Sequence, residues 1–337
     1  MAFSLPDAFT TVKIADHTGR EFEVAISRQP DHYEQWLETA RPFSAIAKIL
    51  IQILQSHGTL IDVGANIGTI SLPVANAGSR VVAIEMLPIN CLKLNLSALA
   101  NGLGRMTVHQ AGATNSIQML EFSGDGPWGA VSSGTAAPQY AAGYPIDTIL
   151  KTLGDNLPFG EVVVKIDVEG HEFEVLQGCE DLISTYRPVI VFESIEGDAA
   201  QNSRASRTHL QDRGYKLFMT RDALPNCIFV PRTAEELQVG FLTDYVAIPQ
   251  EKVDRILGLL AEFPVRELTD DEKLLWVTET AKSQQLVAHR VHAALVAHDL
   301  ATRSKDPLKT QMLEILKLLS TDADASVRAA VGDVAAS

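Results

Sequence analysis

The segment Lys165-Ile166-Asp167-Val168-Glu169-Gly170-His171-Glu172 places five ionisable side chains within eight residues. Carboxylates and an imidazole gathered in this way can orient a hydroxyl and accept its proton, as a general base does. Glu193 closes the apolar run that begins at Val189 and joins Asp167, Glu169 and His171 as a catalytic candidate. Asp167 or His171 is the favoured base, with Glu169 and Glu193 positioning the acceptor. Asp167 and Glu193 also offer part of an oxygen-ligand site for Mg²⁺, although no metal is assigned from the sequence. Lys165 alternates with Asp167 along a strand and is placed to pair with a carboxylate. Glu172 and Glu174 fall on the following helix and are expected to face water.

A second chemical signal lies upstream. Leu60-Ile61-Asp62-Val63-Gly64-Ala65-Asn66-Ile67-Gly68 runs an apolar strand into a glycine turn and then a helix. In an open α/β sheet this sets ligand-facing backbone at the carboxyl edge of the strand. Glu85 ends the next apolar run, 21 residues after Gly64, where an acid can hydrogen-bond a ribose diol. A dinucleotide needs a second glycine where this chain has Asn66, whose side chain crowds a diphosphate. S-adenosylmethionine carries a ribose without phosphate, and its ammonium and sulfonium suit an acidic rim such as Asp62. The turn therefore favours that cofactor over NAD or a flavin. Methyl transfer disperses the sulfonium charge, so acids facing the sulfur would only stabilise the starting cation; the acids after the later strand should act on the nucleophile.

These groups meet only if their strands lie side by side in one sheet. The zone 41–249 alternates apolar runs with helical patterns: LIDV, VVAI, VVVKI and VIVF are apolar on both faces, as parallel strands covered by helices must be. The expected fold is α/β, a doubly wound, mostly parallel, Rossmann-like sheet. Residues 1–40 read as a hairpin, Thr11–Ile14 with Glu21–Ile26, followed by a short helix near Asp31–Ala40. Residues 250–337 read as an all-α region. Its apolar residues recur at helical spacing in Leu308, Met312, Ile315, Leu316 and Leu319, and Asp306-Pro307 marks a helix start. This helical region offers a face for homo-oligomerisation. The glycine- and aromatic-rich stretch 123–144 reads as a long loop in which Trp128, Tyr140 and Tyr144 could wall a substrate. Arg204 and Arg207 could meet an acidic substrate group, and His289 and His292 sit three apart on a helix, although exposed positions are the favoured reading for all four.

Lys and Arg total 28 against 42 Asp and Glu, a formal charge of −14. Such a chain is poorly suited to nucleic acid or an anionic membrane, whose affinity comes from Lys and Arg contacts. A small molecule is the expected partner. The odd, scattered cysteines Cys91, Cys179 and Cys227 read as reduced thiols. With no apparent signal peptide and no apolar run long enough to span a bilayer, a cytoplasmic protein is expected.

IDVGANIGTISL, VVAIE, VVVKIDVEGHEFEVLQG and RPVIVFE resemble the FkbM-type methyltransferases over about residues 41–249. The resemblance implies a seven-stranded class I methyltransferase sheet whose last strand is inserted antiparallel. It implies S-adenosylmethionine as methyl donor and, in the main, O-methylation of hydroxylated small molecules such as sugars or polyketide-type products of secondary metabolism. N-methylation of an amine or peptide, or a silent methyltransferase fold used for interaction, are the alternatives. Carried onto this chain, Asp62, Gly64, Ala65, Asn66 and Gly68 line the methionine end of the donor and Glu85 holds its ribose. His109–Ala113, including Gln110 and Ala113, lies near the adenine. The family usually has proline after the ribose acid. Here Met86 follows Glu85 and is expected to pack on the adenine face.

Overall fold

The computed structural model describes residues 5–40, 44–122, 139–153, 160–195, 200–220, 227–236, 242–282 and 287–331. The chain opens with strands β1 (Phe9–Ala15) and β2 (Glu21–Ser27), then helices α1 (His32–Ala40) and α2 (Ala45–Leu54). Strand β3 (Thr59–Val63), helix α3 (Ser71–Asn76), strand β4 (Arg80–Glu85), helix α4 (Pro88–Ala100) and strand β5 (Met106–Gln110) follow in strict alternation. Three short strands, β6 (Gly112–Ala113), β7 (Gln118–Phe122) and β8 (Gln139–Tyr144), precede helix α5 (Ile146–Lys151). Then come β9 (Val162–Ile166), α6 (Glu172–Gln177), α7 (Glu180–Tyr186), β10 (Val189–Ile195), α8 (Ala200–Asp212), β11 (Tyr215–Thr220), β12 (Phe229–Arg232) and β13 (Leu242–Pro249). Helices α9 (Val253–Leu259), α10 (Asp270–Ala281), α11 (Val287–Arg303), α12 (Leu308–Leu319) and α13 (Ala325–Val331) complete the described chain.

The main sheet runs β12-β11-β13-β10-β9-β3-β4-β5. β3, β4, β5, β9 and β10 are parallel, and β13 is inserted antiparallel between β10 and β11. This is the expected doubly wound sheet of class I methyltransferases. Every residue of β3 and β9 is buried, because helices cover both faces. From β3 the chain runs outward through β4 and β5, then returns to β9 on the other side of β3 and runs outward through β10, so the topological switch point lies between the adjacent strands β3 and β9. That is where such sheets open a crevice at their carboxyl ends.

Two features exceed the expectation of seven strands and a long loop. β12 adds an eighth strand, antiparallel to β11 at the sheet edge. Its exposed Pro231 is tolerated there because an edge position needs no donor on that side. Within 123–144, Tyr140 and Tyr144 stand on β8, which forms a three-stranded sheet with β6 and β7; Trp128 lies outside the described residues.

The N-terminal hairpin and the C-terminal helices share the cores of the sheet. Val12, Phe22, Val24 and Ile26 pack with α2, Leu94 and the strand residues Leu60, Val81 and Val163. Ser97 Oγ accepts from the Ala25 N–H at 2.8 Å, and Asn101 both accepts from and donates to the backbone of Glu23. On the other face, Ala293, Ala297, Met312, Leu316 and Val327 of the helical region belong to one cluster with Ile61, Val164 and Tyr245. Helix α1 is fixed by a buried ion pair: Lys93 Nζ lies 2.6 Å from Glu34 Oε1, with side chains 6% and 2% exposed. Glu34 also accepts from the backbone N–H groups of Ser27 and Asp31.

Lys93→Ala should leave the Glu34 carboxylate buried without its cation. An expected loss of about 3–5 kcal/mol of unfolding free energy would be read by urea denaturation. A loss below about 1 kcal/mol, the ordinary value of an exposed pair, would show that this pair does not hold α1.

Candidate functional site

β3 delivers the chain into the turn Gly64–Gly68, where Gly64, Asn66 and Gly68 have φ of 76°, 51° and 95°. Glycine at 64 serves both a left-handed backbone and a close approach: a Cβ there would stand 1.8 Å from the Asp167 carbonyl oxygen. The turn is stitched to both neighbouring strands. Gly64 and Ala65 N–H groups donate to the Ile84 carbonyl at 3.0 and 3.1 Å, and the Asp167 N–H donates to the Val63 carbonyl at 3.0 Å. Strict strand periodicity thus ends at one corner shared by β3, β4 and β9.

A cavity of about 260 Å³ opens above this corner. Gly64, Ala65, Asn66, Glu85, Met86 and Ala113 line it, together with Asp167, Glu169, His171 and Glu193. Ten of the thirteen residues read as catalytic or donor-binding in the sequence therefore meet in one crevice; Asp62, Gly68 and Gln110 do not line it.

Asp62 is fully buried behind the turn, where its Oδ2 accepts from Ser71 Oγ at 2.6 Å and its Oδ1 lies 3.6 Å from Lys165 Nζ. It braces the turn from below rather than forming an acidic rim. Gly68 is a packing glycine, since a Cβ would press on Leu94 and Leu72 side chains at 2.3 and 2.9 Å. Gln110 ends β5 on an exposed side.

Glu85 is buried, with Oε1 accepting from the Leu87 N–H and Oε2 from the Asn66 N–H, both at 2.8 Å. Burial pushes its carboxyl up while these backbone donors pull it down. Each oxygen keeps a further lone pair for a diol in the crevice. The Asn66 side chain is turned back onto the Ile67 N–H. The residues present thus fit a ribose-bearing donor: an anchored acid, a glycine turn and the apolar flank of Ile84, Met86, Leu87 and Leu120.

The acids after β9 are held by a buried cation. Lys165 Nζ lies 3.0 Å from Asp167 Oδ2 and 3.5 Å from the Gly64 carbonyl. Burial would lower the ammonium's pKa, but Asp167 and Asp62 outweigh it and hold the group protonated. Carboxylate oxygens of Asp167, Glu169 and Glu193 lie within 4.8 Å of one another. Burial and then Asp167 and Glu169 push Glu193 up to about 9, so it carries a proton at neutral pH. His171 Nδ1 stands 4.0 Å from Glu174.

Glu172 does not face water. It is fully buried, and its Oε1 accepts from the N–H groups of Gly170 and Val168 at 3.0 and 3.3 Å. Helix α6 starts just after a left-handed turn at Glu169 and Gly170, with φ of 55° and 97°, and the first-turn carboxylate folds back to tie that turn.

Tyr33, Thr69 and Lys165 also line the crevice. The sequence does not mark Tyr33 as a site residue, because an aromatic on a helix well before the glycine turn carries no spacing signal. Of the expected substrate walls, Tyr140 is exposed on β8 with its hydroxyl 3.5 Å from Glu121, and neither it nor Tyr144 reaches the crevice. Arg207 is buried, donating to Ser194 Oγ at 3.0 Å and lying over the Tyr245 ring, while Arg204 pairs with Glu235 on the surface. His292 is buried, and the side chain of His289 lies outside the described residues. Cys91, Cys179 and Cys227 are buried thiols outside any disulfide.

An antiparallel strand inserted in a doubly wound sheet, with a glycine corner and an acid at its switch point, is the class I methyltransferase fold. Residues 62–217 match the family model described as the methyltransferase FkbM domain. The hexuronic acid methyltransferase AglP of Haloferax volcanii is 30% identical over 151 residues, covering 43% of this chain and 60% of that protein. An uncharacterized RNA methyltransferase of Parasynechococcus marenigrum is 46% identical over 55 residues, 16% of this chain and 12% of that protein. The matches thus span less than two thirds of either relative. A solved FkbM methyltransferase of Methylobacillus flagellatus aligns at 20% identity and a TM-score of 0.38, covering 57% of this chain and 44% of that one.

The raised Glu193 has a sign that can be checked. The folded state holds this proton up to about pH 9, whereas an unfolded glutamate releases it near pH 4.3. Its contribution to stability is full below that lower value and is lost as pH rises toward 9. Glu193→Gln should therefore flatten the fall in stability between about pH 5 and pH 9 in urea titrations; parallel curves for the variant and the natural chain would show that Glu193 is not held protonated.

Proposed function

We propose that this protein moves a methyl group from S-adenosylmethionine to a hydroxyl of a small hydroxylated molecule, such as a sugar, a polyketide or another secondary metabolite. The observation that carries this reading is the meeting, in one crevice, of the Gly64 turn and Glu85 with Asp167, Glu169, His171 and Glu193. When bound, the donor supplies an electrophilic methyl group on a cationic sulfur. Glu85 would hold the ribose diol, the backbone at Gly64 and Ala65 the methionine end, and Met86 and Ala113 the adenine side.

Asp167 accepts the acceptor's proton in this reading, and Lys165 at 3.0 Å fixes its carboxylate. Glu193, protonated at neutral pH, orients the acceptor by donation. The name of the Haloferax relative supports a sugar-type acceptor. The short RNA methyltransferase match does not outweigh a chain charge of −14 and a crevice lined by the acids Asp167 and Glu169, which repel a phosphate backbone.

Glu85→Ala should weaken S-adenosylhomocysteine binding by about 1.5–3 kcal/mol, the value of a hydrogen bond to a charged group, as read by calorimetry with NAD as the control ligand. An unchanged affinity would remove Glu85 from the donor site.

Asp167→Asn should keep S-adenosylhomocysteine affinity within a few-fold while turnover falls by about 10²–10⁴. The assay is donor consumption against hydroxylated metabolites, amino sugars and peptides, with His171→Gln and Glu193→Gln as comparators. Activity lost in EDTA and restored by Mg²⁺ would make Asp167 a metal ligand instead. Full turnover in all three variants would mean that these groups do not act on the acceptor.

A further inference from the structure

The crevice is lined by Glu85 with the apolar Met86, Leu87 and Leu120, and by Asp167, Glu193 and Lys165. Tyr33, a residue of α1 that lies outside the matched family segment 62–217, also lines it, within the electrostatic reach of Lys165 and Asp167. The Tyr33 hydroxyl lies 3.1 Å from Thr69 Oγ1, on the turn that follows Gly68. Burial pushes the phenol up, so the group is neutral and can both donate and accept.

One helical turn along α1, the Trp36 ring stands 5.7 Å from that of Tyr33 at an interplanar angle of 32°, and Trp36 is 47% exposed. Tyr33 thus lines the crevice, and the half-exposed Trp36 ring packs beside it. Between them in sequence, Glu34 is locked to Lys93 and to the backbone of Ser27 and Asp31, which fixes the helix that carries the rings. An aromatic pair on an anchored helix gives a large contact area with little conformational entropy to lose.

The ligand face implied is flat and rich in C–H, with hydroxyls around its rim to meet Thr69, Tyr33 and the carboxylates. A pyranose ring has that chemistry. A nucleobase would also stack on such rings, but its phosphates would face the carboxylate rim. Resting on the reading of the crevice as a methyl-transfer site, we propose that Tyr33 and Trp36 form the acceptor platform and select a pyranose ring by stacking, with Thr69 and the Tyr33 hydroxyl fixing its orientation.

The test uses the full chain saturated with S-adenosylhomocysteine, titrated with methyl β-D-glucopyranoside, methyl β-D-glucuronide and uridine monophosphate. Binding is followed by tryptophan emission and calorimetry. The expected result is that one or both glycosides bind and quench emission. Trp36→Ala should then raise the glycoside Kd by about tenfold or more, and Tyr33→Phe by several-fold, while S-adenosylhomocysteine affinity in both variants stays within about twofold. Trp36→Phe should restore glycoside affinity and lose the quenching, placing the signal at this ring. Glycoside affinity unchanged in Trp36→Ala, no glycoside binding at all, or preference for the nucleotide would each overturn the platform. Loss of S-adenosylhomocysteine binding by the unaltered protein would instead strike the underlying methyl-transfer reading and is measured separately.

Discussion

The site depends on one ammonium group. Lys165 Nζ is buried between Asp62, at 3.6 Å, and Asp167, at 3.0 Å, with the Gly64 carbonyl at 3.5 Å. A charge taken out of water at the centre of a sheet is costly unless its partners are close and well aligned. Here those partners come from the ends of two adjacent parallel strands, β3 and β9. The cation therefore does in space what the chain cannot do in sequence: it joins the glycine turn to the acid loop, Lys165 Nζ lying 3.5 Å from the Gly64 carbonyl. Glu172 completes the arrangement by accepting the loop's own N–H groups, so Asp167, Glu169 and His171 stand on a segment whose backbone is satisfied from inside.

The sequence made the sheet and most of the crevice legible because both rest on local patterns. Runs apolar on both faces mark covered parallel strands, and a glycine turn between strand and helix marks the carboxyl edge. Its failures share a cause. Asp62 and Gly68 lie in the same motif as Gly64 and Asn66, yet one faces α3 and the other α4, and a motif does not say which face of a doubly covered strand a side chain takes. Glu172 was assigned to water from the polarity of a short helix, where a first-turn carboxylate can as readily fold back on the preceding loop. Tyr33 and the strands β6–β8 and β12 depend on long-range placement, which no spacing within the chain encodes.

The segments flanking the family match are not accessories. The hairpin β1–β2 and helix α1 share one core with the sheet, and helices α10–α13 share the core on its opposite face. The matched segment 62–217 also excludes β13 and α2, without which neither the antiparallel insertion nor one covering layer exists. The likeness to the FkbM domain lies in the central segment, while Tyr33, which lines the crevice beside the glycine turn, is supplied by what precedes it.

The missing side chain at Gly64 has a mechanical consequence. Its α-carbon sits so near the Asp167 carbonyl that no hydrogen-for-methyl exchange fits, and the Asp167 N–H is tied to Val63 in the same corner. Two loops seated this tightly cannot slide or rotate past one another without breaking their shared bonds. The floor of the crevice therefore behaves as a single stiff part, and any change in its aperture falls to the other lining elements, among them α1 and the β6–β8 sheet.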